Sequence, residues 1–185
     1  MSRILILISL TLSIYSCSKE TDDVTSPNFG DITDAVFLSS FESNGISNLS
    51  GWQLNGELNP NLLSFSRDVP VGGGYWSLNL RGTQGSTAKV EIRSNTPLLT
   101  SDSLENYILT FWAKGKGQAS LSINDSTAGW ITYLPINTSS WAFFADTLNR
   151  HQSIFNKLEV WLNASLDDSL SSVYFDNVKV VRRKP

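Results

Sequence analysis

Short apolar runs that alternate with polar residues recur along this chain at 36–41, 62–65, 75–80, 88–92, 107–113, 119–123, 130–136, 141–145, 155–162 and 173–181. Trp76, Leu78 and Leu80 fall on one side of their run, with Ser77 and Asn79 on the other. Ala119, Leu121 and Ile123 oppose Ser120, Ser122 and Asn124 in the same way. A period of two marks strands with one face in a core and one in water. The stretches that suit helical turns, 100–106 and 151–156, are short. About ten strands without intervening helices predict an all-β antiparallel sandwich or barrel and exclude a parallel sheet. Lys114-Gly115-Lys116-Gly117 predicts a hairpin connection between two of the runs.

Composition narrows the function. Charged residues make up 17% of the chain, with 17 acidic against 14 basic side chains and no basic stripe, which argues against a nucleic-acid partner. Cys17 is the only cysteine, so the fold relies on packing and has neither a disulfide nor a thiolate metal site. Residues 18–35 hold Pro27, Gly30, five acidic side chains and few apolar ones, the composition of a flexible linker. One β-sandwich domain is expected over 36–185, as a monomer.

The N-terminus has Arg3, an apolar stretch over 4–15, a small residue at Ser16 and then Cys17. That is the layout of a cleaved export peptide, too short to span a bilayer. Ile14-Tyr15-Ser16-Cys17 resembles the lipobox of bacterial lipoproteins. The resemblance implies removal of 1–16 and lipidation of Cys17. Two or three acyl chains, at ~0.8 kcal/mol per buried methylene, hold a protein durably. Ser18-Lys19-Glu20-Thr21-Asp22-Asp23 resembles the Lys-then-acid stretch of surface-exported Bacteroidota lipoproteins. The expected location is the outer membrane, with membrane contact through the lipid anchor alone.

Within the domain, Phe41-Glu42, Gly51-Trp52, Gly74-Tyr75-Trp76-Ser77-Leu78, 107–114, Trp141 and Tyr174-Phe175-Asp176-Asn177-Val178 follow one another in an order that resembles galactose-binding-like jelly rolls. Many of those are carbohydrate-binding modules attached to glycoside hydrolases. The resemblance implies that the first and last strands pair and that a structural calcium ion sits where they meet, held by Glu42 and Asp176. A hard cation takes six to eight oxygens, and a carboxylate among Phe175 and Val178 otherwise carries a desolvation cost. A bulge at Asp176, or pairing with Arg or Lys at the sheet margin, accounts for the same residue without an ion.

Carbohydrate-binding modules lay aromatic faces against sugar rings, so the outward aromatics are the candidate ligand residues. Leu158, Val160 and Leu162 share a side, which places Trp161 opposite, beside Glu159. Trp112 shares a side with Ile108 and Thr110 and is expected near Trp161. Trp130 and Tyr133, following Asp125, Ser126 and Thr127, are expected in a loop-borne site at the sandwich edge. Trp52, Trp76 and Trp141 are assigned to the core or the turns. Catalytic residues are not expected: His151, the only histidine, has no nucleophile motif near it, and the acids lack the strand spacing of jelly-roll hydrolases. Lys89-Val90-Glu91-Ile92-Arg93 resembles one strand of alginate lyases, without their other signature strands. The reading is a non-catalytic polysaccharide- or oligosaccharide-binding lipoprotein. The alternatives are a protein-interaction or structural envelope domain with its aromatics buried, and a small lyase or hydrolase.

Overall fold

A computed structural model describes residues 35–54, 62–83, 86–87, 89–94, 106–124, 129–149, 157–165 and 171–183. The signal segment, Cys17, the linker and His151 lie outside the described residues. Among the described residues there are twelve strands: β1 (Ala35–Ser39), β2 (Glu42–Ser43), β3 (Ile46–Ser47), β4 (Gln53–Leu54), β5 (Leu63–Ser66), β6 (Ser77–Thr83), β7 (Ser86–Thr87), β8 (Lys89–Ser94), β9 (Asn106–Asn124), β10 (Gly129–Asn149), β11 (Lys157–Ala164) and β12 (Ser171–Arg183). No α-helix occurs among the described residues.

All pairings are antiparallel, and the two longest strands build both layers. The first half of β9 pairs with β12, whose other edge carries β6 and then β1, and β5 flanks β6. The second half of β9 pairs with β11, which carries β8 and then β4. β10 accompanies β9 along its whole length. The first sheet is therefore β5-β6-β12-β9-β10 with β1, and the second is β4-β8-β11-β9-β10. The two form an antiparallel β-sandwich of jelly-roll type.

Parity along the strands sets the core. Tyr107, Leu109, Phe111, Ala113, Ala119 and Leu121 of β9 face inward, against Val160 and Leu162 of β11 and Leu78 and Leu80 of β6. Phe111 stacks on Phe144 at 5.3 Å and meets Phe175 at 5.8 Å. Burying each such side chain contributes about 1.5–3 kcal/mol.

The expected hairpin at Lys114-Gly115-Lys116-Gly117 is corrected. β9 runs straight through these residues, and its partner beyond the 124/129 ends is β10. Gly115 marks the place where the strand passes from one sheet to the other. Its φ is +111°, and a Cβ there would lie 2.1 Å from the Ser172 carbonyl oxygen. The glycine serves a close backbone approach, which looks the same as a turn in sequence. Runs 130–136 and 141–145 are likewise one strand, interrupted by a register shift between Thr138 and Ala142.

Candidate functional site

The outer face of the second sheet carries two of the four aromatic candidates side by side. On β11, Val160 and Leu162 are buried in the core, so Trp161 faces outward and is half-buried. Ser120 of β9 is its cross-strand partner on one side, and Tyr133 of β10 is the next in the same row. Tyr133 is 58% exposed. The neighbouring row runs Glu159, Ser122, Ile131, with Ile131 45% exposed. Trp161 Nε1 donates to Glu159 Oε2 at 3.3 Å, which holds the indole against the sheet. Asn163, two residues past Trp161, has its Oδ1 buried with no hydrogen-bond partner. On the far side, Glu91 of β8 occupies the register position opposite Trp161.

Tyr133 and Trp130 therefore belong to a strand, and the expected loop-borne site is corrected. β10 runs through both residues, with Trp130 paired to Ile123. The Trp130 ring lies outside the described side chains. Trp112 is the second correction. It lies on the outer face of the first sheet, edge-on to Phe143 at 5.6 Å, because it precedes the crossover at Gly115 while Trp161 pairs with β9 beyond it. The two tryptophans face out of opposite layers. Trp52 is buried between Phe37 and Phe41, with its Nε1 donating to Ser39 Oγ. Trp76 is half-buried under the Arg67 guanidinium, 3.8 Å from the ring centre. Trp141 is half-buried on the outer face of the first sheet, edge-on to Tyr174, and its Nε1 donates to Asp68 Oδ1 at 2.9 Å. Asp68 also takes a hydrogen bond and ion pair from Lys114.

At one end of the sandwich the chain gathers two carboxylates. Asn44 and Gly45, both at positive φ, form the two-residue turn between β2 and β3 and carry Glu42 toward the loop after β5. Asn-Gly is the strongest short hairpin signal, and this turn was open to detection from the sequence. Glu42 Oε2 accepts hydrogen bonds from Tyr75 N at 2.5 Å and Trp76 N at 3.2 Å. Gly73 and Gly74 leave room for the carboxylates: a Cβ on Gly74 would lie 1.9 Å from Glu42 Oε1, and one on Gly73 2.5 Å from Asp176 Oδ2.

Asp176 reaches this place through a bulge in β12. The register shifts between Asp176 and Lys179, Asn177 has φ +48°, and both Phe175 and Val178 consequently face the core. The side chain is fully buried. Asn177 N donates to Oδ1 at 2.7 Å, and Oδ2 has no hydrogen-bond partner. Burial, and secondarily the Glu42 charge, push Asp176 up to about 7 against the opposing pull of the Asn177 N–H. An orphaned buried oxygen beside a second carboxylate suits a hard cation. The bulge and the cation are thus compatible readings, since the bulge is what aims the carboxylate.

No family model matches the chain, and no curated protein does. Solved structures do match. The N-terminal CBM22-1–CBM22-2 tandem domain of Xyn10C from Paenibacillus barcinonensis aligns with a TM-score of 0.58 at 15% identity, over 86% of this chain and 52% of that one. The enzymatically active domain of bacteriophage CBA120 tailspike protein 4 gives 0.57 at 20% identity, over 78% of this chain and 21% of that one. TmCBM61, solved in complex with β-1,4-galactotriose, gives 0.50 at 14% identity, over 72% of this chain and 90% of that one. The chain thus spans a small part of the tailspike domain, about half of the tandem and most of the single module. At these identities the likeness is one of fold: a β-sandwich domain built like carbohydrate-binding modules.

Proposed function

We propose that this chain is a non-catalytic carbohydrate-binding domain, and that its ligand site is the outer face of the second sheet. The observation that carries the reading is the row in which Trp161 and Tyr133 flank Ser120, with both rings reachable from solvent. An aromatic face stacked on a sugar's C–H surface is worth ~1 kcal/mol by analogy with aromatic pairs and stacked bases. The carbohydrate-binding modules among the similar structures support this reading by fold. Trp112, on the other sheet, has no part in it.

In the same reading Glu42 and Asp176 hold a structural calcium ion. The ion would join the loop at 67–76 to the bulge of β12 by pairing the charge that burial leaves uncompensated. The protein is placed at the outer membrane, tethered through a lipidated Cys17, as a monomer.

The test is retention on polysaccharide affinity gels. Trp161→Ala and Tyr133→Ala should each weaken retention at least fivefold with the melting temperature held within a few degrees. Unchanged retention in both variants would remove the site, and no retention of the parent chain on any polysaccharide would remove the function.

A further inference from the structure

We infer that Asp68 is a positioning residue for the proposed calcium site: it latches the loop at 67–76 onto the outer face of the first sheet, and the latch sets how tightly Glu42 and Asp176 take the ion. This rests on the calcium reading of those two carboxylates. The loop joins β5 to β6, and Ser66 and Ser77 are the strand pair from which it departs. Gly72, Gly73 and Gly74 follow one another in it. A run of glycines is costly to order, so the loop has to be held by groups outside the run.

Two sets of bonds hold it. On the ion side, the amides of Tyr75 and Trp76 donate to Glu42 Oε2, and Trp76 Nε1 donates to the Gly45 carbonyl at 3.0 Å. On the other side stands Asp68. Its Oδ1 accepts from Trp141 Nε1 of β10 at 2.9 Å and its Oδ2 from Lys114 Nζ of β9, so each carboxylate oxygen answers a different strand. Its own N–H donates to Ser66 Oγ and its carbonyl accepts from Ser77 Oγ, which fixes the backbone from which the carboxylate projects. A turn closed by Gly73 N donating to Pro70 O at 2.9 Å carries the chain from one set to the other. In that interval it passes both ion ligands, Gly73 against Asp176 Oδ2 and Gly74 against the Glu42 carboxylate.

The latch is also near the ion site on the sheet itself. Lys114 is the register partner of Tyr174, and its ammonium lies 5.2 Å from the centre of that ring. Tyr174 and Asp176 are two positions apart on β12, about 7 Å of strand. The Asp68 and Lys114 side chains are 44% and 24% exposed, and an ion pair this open to water adds little to global stability. Its effect is local. Without it the loop samples more conformations, and calcium affinity falls in proportion to the fraction of chains that keep the loop over both carboxylates.

Isothermal titration of calcium into the full chain and into Asp68→Ala, Lys114→Met and Trp141→Phe tests this. Asp68→Ala should bind about tenfold more weakly, as when about a tenth of the chains keep the loop in place, and each of the other two about threefold more weakly. Asp68→Ala combined with Lys114→Met should be no weaker than Asp68→Ala alone, because both changes open one latch. Melting temperatures in chelator should stay within a few degrees of the parent. Amide hydrogen exchange in chelator is the second readout: the Tyr75 and Trp76 amides should exchange faster in Asp68→Ala, with Val160 and Leu162 of β11 unchanged. Unchanged calcium affinity in Asp68→Ala, or exchange that quickens throughout the chain, overturns the latch and leaves the calcium reading standing. A parent chain that takes up no calcium overturns both.

Discussion

Asp176 is fully buried, and its Oδ2 has no partner, so its charge state governs the end of the sandwich at which it sits. Its folded value of about 7 stands above the ordinary 3.8, so between those values the folded chain keeps a proton that the unfolded chain has released. With chelator present, the stability this gives is complete below 3.8 and is lost as pH rises through about 7. If Glu42 and Asp176 hold calcium as proposed, the ion takes the proton's place, so added calcium should raise the melting temperature more at pH 8 than at pH 5. Asp176→Asn should remove both the calcium response and this pH dependence in thermal melts. An unchanged melting curve with excess chelator at pH 8 would remove the ion. Asp68 behaves in the opposite sense. The hydrogen bonds from Lys114 and Trp141, and the Lys114 charge, hold its carboxyl below 3.8. Its contribution is present above 3.8 and is lost as pH falls through its own lower value.

The element that organises the fold is β9, and its weakest point to substitution is Gly115. A side chain there meets the Ser172 carbonyl oxygen and a φ of +111° together, whereas at Gly72, φ +75°, nothing lies within 4 Å of a Cβ. Gly115→Ala should therefore cost about 3 kcal/mol in urea unfolding, and Gly72→Ala only about 1 kcal/mol. Similar losses at both would mean that the crossover is not tight. Strand existence, antiparallel pairing and the inward parity of β6, β9 and β11 were legible in the sequence, because apolar residues at every second position mark the core face; the polar alternates Ser77, Asn79, Ser120 and Ser122, expected in water, are buried as well. The crossover was not, since a glycine at a close approach and a glycine in a turn read alike. For the same reason Trp112 and Trp161 could be placed outward but not on the same layer: parity says which residues leave the core, and only the pairing says from which sheet. Ser120 and Ser122 read as residues facing water, yet they are only 3% and 6% exposed, because parity says which side of a strand a residue takes and not what packs over that side.

At the scale of the whole molecule the proposed ion site and the proposed glycan face are well separated. Trp112, the register partner of Asp176, and Ser120 are eight positions apart on β9, roughly 25 Å of strand. Removing calcium should therefore lower the melting temperature while leaving glycan affinity within about twofold at temperatures where the chain stays folded, as titration in chelator would show. Among the described residues β10, which carries Tyr133 and Ile131, pairs only with β9, and Pro135 interrupts its supply of N–H donors two residues later. A proline on an edge discourages pairing with a second copy, and it keeps that border of the face free for ligand. The most direct measurement is an amide and indole chemical-shift titration of the labelled chain with a binding polysaccharide fragment. The account predicts that shifts concentrate at Ser120, Ser122, Ile131, Tyr133 and the Trp161 indole. Shifts confined to the loops at 42–47 and 71–76, or to Trp112, Phe143 and Trp141 on the first sheet, would contradict it.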